Sequence, residues 1–419
     1  MLLCELPPLY DMLDEIEVDE TEDIADLYES IIELIDTYIS ENPTEITEPD
    51  FEEVLFDELL DLLEITTPYS VTYELEEIIE YAIDQYFSTI MPPRSHPDTI
   101  ILNPHIDIEK TQKQIDYLKE KPQPAQRSAE WYAFRRNLIT ASNAYKAFES
   151  QSAKNQLIYE KCKEDIIPDV SILTQPKQVN TETSLHWGQK YEPVSVALYE
   201  YIYGTHVGDF GCIQHDTYSF IGASPDGINI LQSSPRFGRM LEIKNVVSRE
   251  IDGIPKKEYW IQMQLQMETC DLNECDFLET QFKEYDTHAD FLLDTFAEYK
   301  GIILQFTTDT GALKYIYSPV GMSLIELEEW ESRHIACNEA YSWICTHYWK
   351  IEKISCVLVQ RNKQWFQSNV YGLAELWDTV LEERVSGYEH RAPNKKAVPI
   401  DLEVISECLF EINEHGKII

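Results

Sequence analysis

No lysine or arginine occurs before Arg94. A run of roughly 18 or more apolar residues is also missing, so no membrane-spanning helix is expected. Residues 1–7 lack the basic and apolar regions of a secretion signal, and an intracellular setting is expected. The nine cysteines are odd in number and scattered. Their spacings, Cys270 to Cys275 and Cys337 to Cys345, match no zinc-site pattern. Reduced, mostly buried thiols are expected instead. No internal repeat or low-complexity tract is present.

What is abundant is acid. The formal net charge is −43, which by itself argues against a nucleic-acid partner. The distribution changes that argument. Residues 1–93 hold 28 of the 76 acids, leaving 48 against all 33 basic residues beyond them, a balance of −15. Any nucleic-acid site must therefore be a local basic groove in the later part of the chain.

The acidic segment still carries helical order. Ile24, Leu27, Tyr28, Ile31, Ile35, Tyr38 and Ile39 recur at helical spacing, as do Leu75, Ile78, Ile79, Ala82, Tyr86 and Ile90. Between them Asp50 and Glu53 can form a capping box ahead of the apolar run 54–63. Asn42-Pro43 and Thr67-Pro68 separate three helices. Residues 1–93 thus form an acidic helical module. Three readings of it are open: a solvated acidic face over a helical core, a surface that docks a partner, or a flap that mimics DNA and masks the DNA site. The charge break at Arg94 predicts a separable unit whose removal leaves any later site intact.

Residues 94–126 read as a linker, rich in proline at 92–97, and a polar helix near 106–119. A mixed texture then begins. Helices are predicted near 128–137, 142–150 and 186–203, and strands near 208–214, 219–223, 227–231 and 240–247. A helix at 259–267 precedes strands at 302–307 and 312–317, joined by the turn Asp309-Thr310-Gly311. A helix over 324–348, a strand at 354–360 and a helix at 373–385 follow. The expected division is a core over 127–320, with residues 321–419 packed on it as C-terminal helices and a strand.

Ser224-Pro225-Asp226-Gly227 and Leu241-Glu242-Ile243-Lys244 concentrate the chemistry. Strand side chains alternate, so Glu242 and Lys244 share one face while Leu241 and Ile243 point to the core. A neighbouring strand ending at Asp226 can bring its carboxylate to that face. Two carboxylates and a lysine on one spot suit metal-dependent phosphodiester hydrolysis. Carboxylate-bound Mg²⁺ or Mn²⁺, in two-metal sites about 3.5–4 Å apart, neutralises phosphate charge and generates a hydroxide-like nucleophile. Asp226 and Glu242 supply the hard oxygen ligands, with the Ile243 carbonyl a third. Lys244 is placed to stabilise or orient the attacking water.

From about 126 to 282 the sequence resembles the PD-(D/E)xK nucleases, specifically the lambda exonuclease or YqaJ-type viral recombinase family. Five motifs occur in the family's order. They are residues 126–135 with Ile139-Thr140-Ala141-Ser142; Gly188-Gln189-Lys190-Tyr191-Glu192-Pro193; Gly222-Ala223-Ser224-Pro225-Asp226-Gly227; Leu241-Glu242-Ile243-Lys244; and Tyr259-Trp260-Ile261-Gln262-Met263-Gln264. Residues 359–366 with Leu376-Trp377 resemble members from large DNA viruses of eukaryotes.

The resemblance implies an α/β fold with a restriction-endonuclease-like core, a mixed central sheet flanked by helices. It implies that Asp226 and Glu242 bind metal, that Glu192 completes the shell, and that Gln262 positions the lysine or the water. Arg135 with Ser142 would hold the 5′ phosphate of a DNA end, or Arg136 would. Helix neighbours face about 100° apart, so only one of the two arginines should reach it. Asp216 is a further loosely matched carboxylate. Trp131 is expected in the core, His186 as a structural or surface histidine, Arg127 as a cap or ion-pair partner, and Gln264 and Gln266 as ordinary helix-face residues.

The implied activity is Mg²⁺-dependent (or Mn²⁺-dependent) 5′-to-3′ digestion of linear duplex DNA by two ions, leaving 3′ single-stranded tails for recombination or repair. The implied partners are double-stranded DNA ends, a single-strand annealing protein and other copies of the chain, in the host cytoplasm or nucleus of a viral infection. Alternatives are a structure-specific endonuclease, an RNA-cleaving nuclease, or an inactive scaffold that binds DNA ends or a partner.

Overall fold

A computed structural model of the chain describes residues 20–66, 75–97, 106–126, 128–163, 183–309, 311–338 and 340–393. Arg127, the Thr67-Pro68 break and Thr310 of the expected turn lie outside the described residues. Three helices come first: α1 (Glu20–Glu41), α2 (Phe51–Thr66) and α3 (Leu75–Thr89). Their acids, among them Asp26, Glu29, Glu33, Glu52, Asp57 and Glu80, face solvent. Their apolar stripes, through Ile31, Ile35, Leu55, Leu59, Ile79 and Tyr86, are buried. Acid on one side and branched apolar residues on the other is what the helical period of the sequence requires.

The chain then runs through β1 (His96–Pro97), α4 (Ile108–Glu120), α5 (Ala129–Arg136), β2 (Ile139–Thr140), the short α6 (Ala141–Ala144) and α7 (Gln151–Cys162). α8 (Ser184–Tyr203) ends at Gly204, whose left-handed φ of 57° suits a residue without Cβ. Four short strands follow, β3 (Val207–Gly208), β4 (Ile213–Gln214), β5 (Ile221–Ala223) and β6 (Gly227–Asn229). Next come β7 (Met240–Asn245), α9 (Lys257–Cys270) and β8 (Glu274–Glu284). The remainder comprises α10 (His288–Leu293), β9 (Lys300–Thr307), β10 (Leu313–Tyr317), α11 (Leu324–Cys337), β11 (Ser342–Gln360) and α12 (Lys363–Ser386).

The fold is mixed α/β. The main sheet has the order β10-β9-β11-β8-β7-β6-β3, with β1 added against β11. β7 and β8 are parallel, Met240 facing Cys275 and Asn245 facing Thr280. Parallel neighbours need a crossover, and α9 is that crossover. The other pairs in this sheet are antiparallel. A second sheet, β2-β5-β4, carries the segment before α6.

Four departures from the sequence-based expectations have physical reasons. β8 was not expected as a strand. Its buried acids Asp276 and Glu279 break an apolar pattern, and arginines make them tolerable there: Arg236 and Arg239 pair with Asp276, and Arg249 with Glu279. The helix predicted over 324–348 stops at Cys337, and residues 342–348 instead begin β11. β11 lies between β9 and β8, so the part after 320 is not packed onto a finished core; it completes the sheet.

The fourth departure concerns the acidic module and its linker. Ile31, Phe51, Leu55, Ile79 and Tyr86 belong to one buried cluster with Trp260, Ile261, Phe277 and Trp365. The module therefore shares its buried core with α9, β8 and α12. Residues 94–97 are not a free tether either. His96 and Pro97 pair with Leu358 and Val357 of β11, and Arg94 is 4% exposed.

Every described cysteine is a free thiol, and Cys162, Cys212, Cys270, Cys275 and Cys356 are buried. No helix among the described residues is long and apolar enough to cross a membrane.

Candidate active site

The pleat of β7 sets the site. Leu241 and Ile243 enter an apolar cluster with Tyr199, Leu278 and Cys356, which turns Glu242 and Lys244 to the other face. Asp226 immediately precedes β6, which pairs with β7 through Gly227 opposite Leu241. A Cβ at Gly227 would lie 2.1 Å from Val207 Cγ1, so only glycine lets β3 close over this strand start. The Ile243 amide donates to Asp226 Oδ2 at 2.7 Å, fixing the aspartate against the middle of β7.

Glu242 is almost wholly buried and fully engaged. Lys244 Nζ donates to its Oε1, and Gln262 Nε2 donates to the same oxygen at 2.7 Å. Gln266 Nε2 donates to Oε2 at 2.7 Å. Lys244 Nζ also lies 3.4 Å from Gln262 Oε1 and 4.8 Å from the centre of the Tyr259 ring. Gln262 and Gln266 are four residues apart on α9, hence on one face, one above the other. The crossover helix thus grips both oxygens of the strand carboxylate.

Asp226, Glu242 and Lys244 open on one cavity of about 1080 Å³. Its walls include Gln126, Arg135, Thr140, Ser142, Gln189, Glu192, Arg249, Tyr259 and Gln262. No described residue before Gln126 lines it. Burial, and then the Glu242 charge, push the Asp226 carboxyl well above its ordinary range; Glu192 adds in the same direction and Lys244 opposes. Burial works against the Lys244 ammonium, but Glu242 and Asp226 outweigh it and raise its pKa. The amine is therefore held protonated, as a hydrogen-bond donor to Glu242.

The donor set suits a hard divalent cation: Asp226, Glu242, the Ile243 carbonyl and, on the cavity wall, Glu192 all offer oxygen. The raised Asp226 carboxyl marks the same spot as short of positive charge. Glu192 does not close a tight cluster, for no group of three His, Cys, Asp or Glu at metal-ligating spacing occurs among the described residues. Such a site can bind a cation through two carboxylates and carry a lysine donor beside it.

The two arginines of α5 part company. Arg135 lines the cavity, its guanidinium 4.5 Å over the Trp131 ring. Arg136 points away and donates to the Cys162 carbonyl of α7 at 3.1 Å. The end of α5 is tied down by Lys161 on the Arg135 carbonyl and Arg384 on the Arg136 carbonyl. Cations at a helix C-terminus match its dipole. Ser142 is exposed on the same cavity wall.

Other expected residues lie elsewhere. Asp216 pairs with Lys121 at 2.7 Å and Tyr117 at 2.8 Å, outside the cavity. His186 shares a 2.8 Å hydrogen bond with the Tyr315 hydroxyl. Trp131 is half-buried, because α5 has no buried residue and sits on the rim. Gln264 and Gln266 are not ordinary face residues. Gln264 accepts from the Asn362 amide and donates to the Gln360 carbonyl, while Gln266 holds Glu242. The four-residue spacing from Gln262 puts Gln266 on the same helix face but does not by itself show what that face meets. The hydroxyls of Thr140 and Ser224 line the cavity, are buried and have no protein partner, which sequence reasoning did not single out.

Residues 130–273 match the YqaJ-like viral recombinase domain. An uncharacterised protein of Acanthamoeba polyphaga mimivirus is 29% identical over 357 residues, covering 75% of this chain and 63% of that protein. The chain thus spans less than two thirds of the length of that relative. An alkaline exonuclease from Laribacter hongkongensis superposes with a TM-score of 0.34 at 19% identity, covering 63% of this chain and all of the other. A phage-related exonuclease from Haemophilus somnus gives a TM-score of 0.31 at 14% identity, covering 59% of this chain and 96% of the other.

Proposed function

We propose that this chain, whose residues 130–273 match the YqaJ-like viral recombinase domain, is a metal-dependent deoxyribonuclease that digests linear duplex DNA from 5′ ends and leaves 3′ single-stranded tails. The observation that carries the reading is the meeting of Asp226, Glu242, Lys244 and Gln262 on one cavity wall.

Asp226, Glu242 and the Ile243 carbonyl would hold one or two Mg²⁺ or Mn²⁺ ions, with Glu192 reaching in from α8. When bound, such ions neutralise phosphate charge and lower the pKa of a coordinated water. Lys244 donates toward the attacking water, and Gln262 keeps both the amine and the Glu242 carboxylate in place. Arg135 offers a planar fork to a terminal 5′ phosphate, with the Ser142 hydroxyl beside it.

DNA ends are the proposed substrate and a single-strand annealing protein the proposed partner, in the setting of a large DNA virus. The test is digestion of 5′-phosphorylated linear duplex with Mg²⁺ or Mn²⁺, with and without chelator. Nucleotide release that stops with chelator is expected. No release in any divalent metal refutes the reading.

A further inference from the structure

We infer that Arg94 is a positioning residue for the catalytic carboxylate Glu242, acting through Trp260 and the helix α9, so that the acidic module is a working part of the active site. The inference rests on the nuclease reading and adds a residue that lies outside the matched domain.

Arg94 joins two parts of the chain far apart in sequence. Its Nε donates to the Ile46 carbonyl at 2.9 Å and its Nη2 to the Thr47 carbonyl at 2.8 Å, both in the acidic module. The same Nη2 donates to the Pro255 carbonyl at 2.9 Å, two residues before α9 begins. In return, Trp260 Nε1 donates to the Arg94 carbonyl at 3.0 Å. The guanidinium also lies 6.0 Å from the centre of the Trp260 ring. Lys257, the first residue of α9, pairs with Glu48 of the module at 2.6 Å.

The start of α9 has no side-chain cap. These contacts tie that end of the helix to the module. Helix residues advance by about 100° each, so Gln262 and Gln266 lie roughly 200° and 240° around from Trp260. α9 is consequently clamped between two layers. Trp260 faces Arg94 and the module, while Gln262 and Gln266 face Glu242. A shift at the Trp260 side moves the two amides that grip the carboxylate.

Arginine is the residue this junction requires. One planar fork reaches three carbonyls from two segments, which a lysine ammonium on a flexible stem does not reproduce. Arg94 is buried, forms no ion pair with a described carboxylate though Glu52, Glu48 and Asp50 act on its charge from a distance, and leaves Nη1 without a partner among the described residues. Such a buried cation is stabilised by both carbonyl layers together with the acids of the module. Separating the module from α9 strands the guanidinium, the Pro255 carbonyl and the Trp260 indole together.

The experiment is a double-mutant cycle in the full-length chain, with kcat and KM measured on linear duplex in saturating Mn²⁺. Arg94→Met keeps the apolar stem and removes the fork; Trp260→Phe removes only the indole donor and covers the case that Arg94→Met does not fold. Arg94→Met is expected to lower kcat about tenfold and Trp260→Phe about threefold, with KM for DNA within about twofold. In a Gln262→Ala, Gln266→Ala background the same changes are expected to have less than half that effect, because the link they act through is gone. Arg94→Lys is expected to restore kcat only in part. Losses that simply multiply in the cycle, or a kcat unchanged by both single variants, overturn the inference while the nuclease reading stands. A wild-type chain inert on DNA in every divalent metal overturns both.

Discussion

Gln266 Nε2 lies 2.7 Å from Oε2 of Glu242, on the oxygen that Lys244 and Gln262 leave free. The carboxylate therefore has no rotational freedom about its last bond. Removing Gln266 leaves a buried oxygen without its donor and lets the carboxylate turn. Gln266→Ala is expected to lower kcat about 10–100-fold, the range found for groups that orient metal ligands, while Gln266→Glu sets a like charge beside Glu242 and is expected to do worse. Steady-state kinetics across Mn²⁺ concentrations check this. Full activity of Gln266→Ala at low metal would show that the contact does not matter.

Arg135 and Arg136 make a paired test. Arg135→Ala is expected to erase discrimination between 5′-phosphorylated and 5′-hydroxyl ends, a loss of about tenfold for one charge-assisted contact. Arg136→Ala is expected to keep the discrimination and lower stability by about 1 kcal/mol through the Cys162 carbonyl it releases. Side-by-side digestion rates on the two substrates decide it. Loss of discrimination in Arg136→Ala alone would reverse the assignment.

A second polar cluster governs acid stability. Burial would raise the Glu284 carboxyl, but hydrogen bonds from His347 and Lys190 outweigh it and bring it down to about 2. A depressed carboxylate contributes stability that is present above its unfolded value and is lost as pH falls toward the folded one. Stability is therefore expected to fall between about pH 4.5 and pH 2, with roughly 2 kcal/mol assigned to this group after allowing for its partial exposure. Glu284→Gln is expected to flatten that slope. Urea unfolding at stepped pH reads it, and an unchanged slope would place the acid sensitivity elsewhere.

Deletion of residues 1–93 is expected to destabilise the whole chain, in contrast to what the charge break at Arg94 predicts from sequence. The cut exposes the shared cluster around Trp260, Phe277 and Trp365. Losing several buried side chains at about 1.5–3 kcal/mol each is comparable to the whole stability of an ordinary domain, about 5–15 kcal/mol. Expression and thermal unfolding of the truncated chain check this. A soluble fragment that melts within a few degrees of the full chain would restore the separable-module reading.

These outcomes mark what was legible in the sequence. The two-residue spacing of Glu242 and Lys244, with apolar neighbours on both sides, identifies a strand face without coordinates. The three acidic helices follow from their apolar period. Gln266 was not legible as a Glu242 partner, because the phase of α9 against β7 depends on the packing of Trp260. Arg94 was less legible still, since its acceptors come from Ile46, Thr47 and Pro255, which no local pattern connects. β8 was hidden because its buried acids are matched by arginines from other segments, and β11 because Ile344, Tyr348 and Ile351 sit at spacings that also fit a helix.

The most direct measurement is metal-dependent digestion by the wild-type chain and by Lys244→Ala, on linear duplex with a 5′ phosphate, linear duplex with a 5′ hydroxyl, and closed circular DNA. The expected result is rapid, chelator-sensitive release of nucleotides from the phosphorylated duplex, slower release from the hydroxyl end, no nicking of the circle, and a loss of at least about a hundredfold in Lys244→Ala. Full activity in Lys244→Ala, or circles cut as fast as linear DNA, would contradict it.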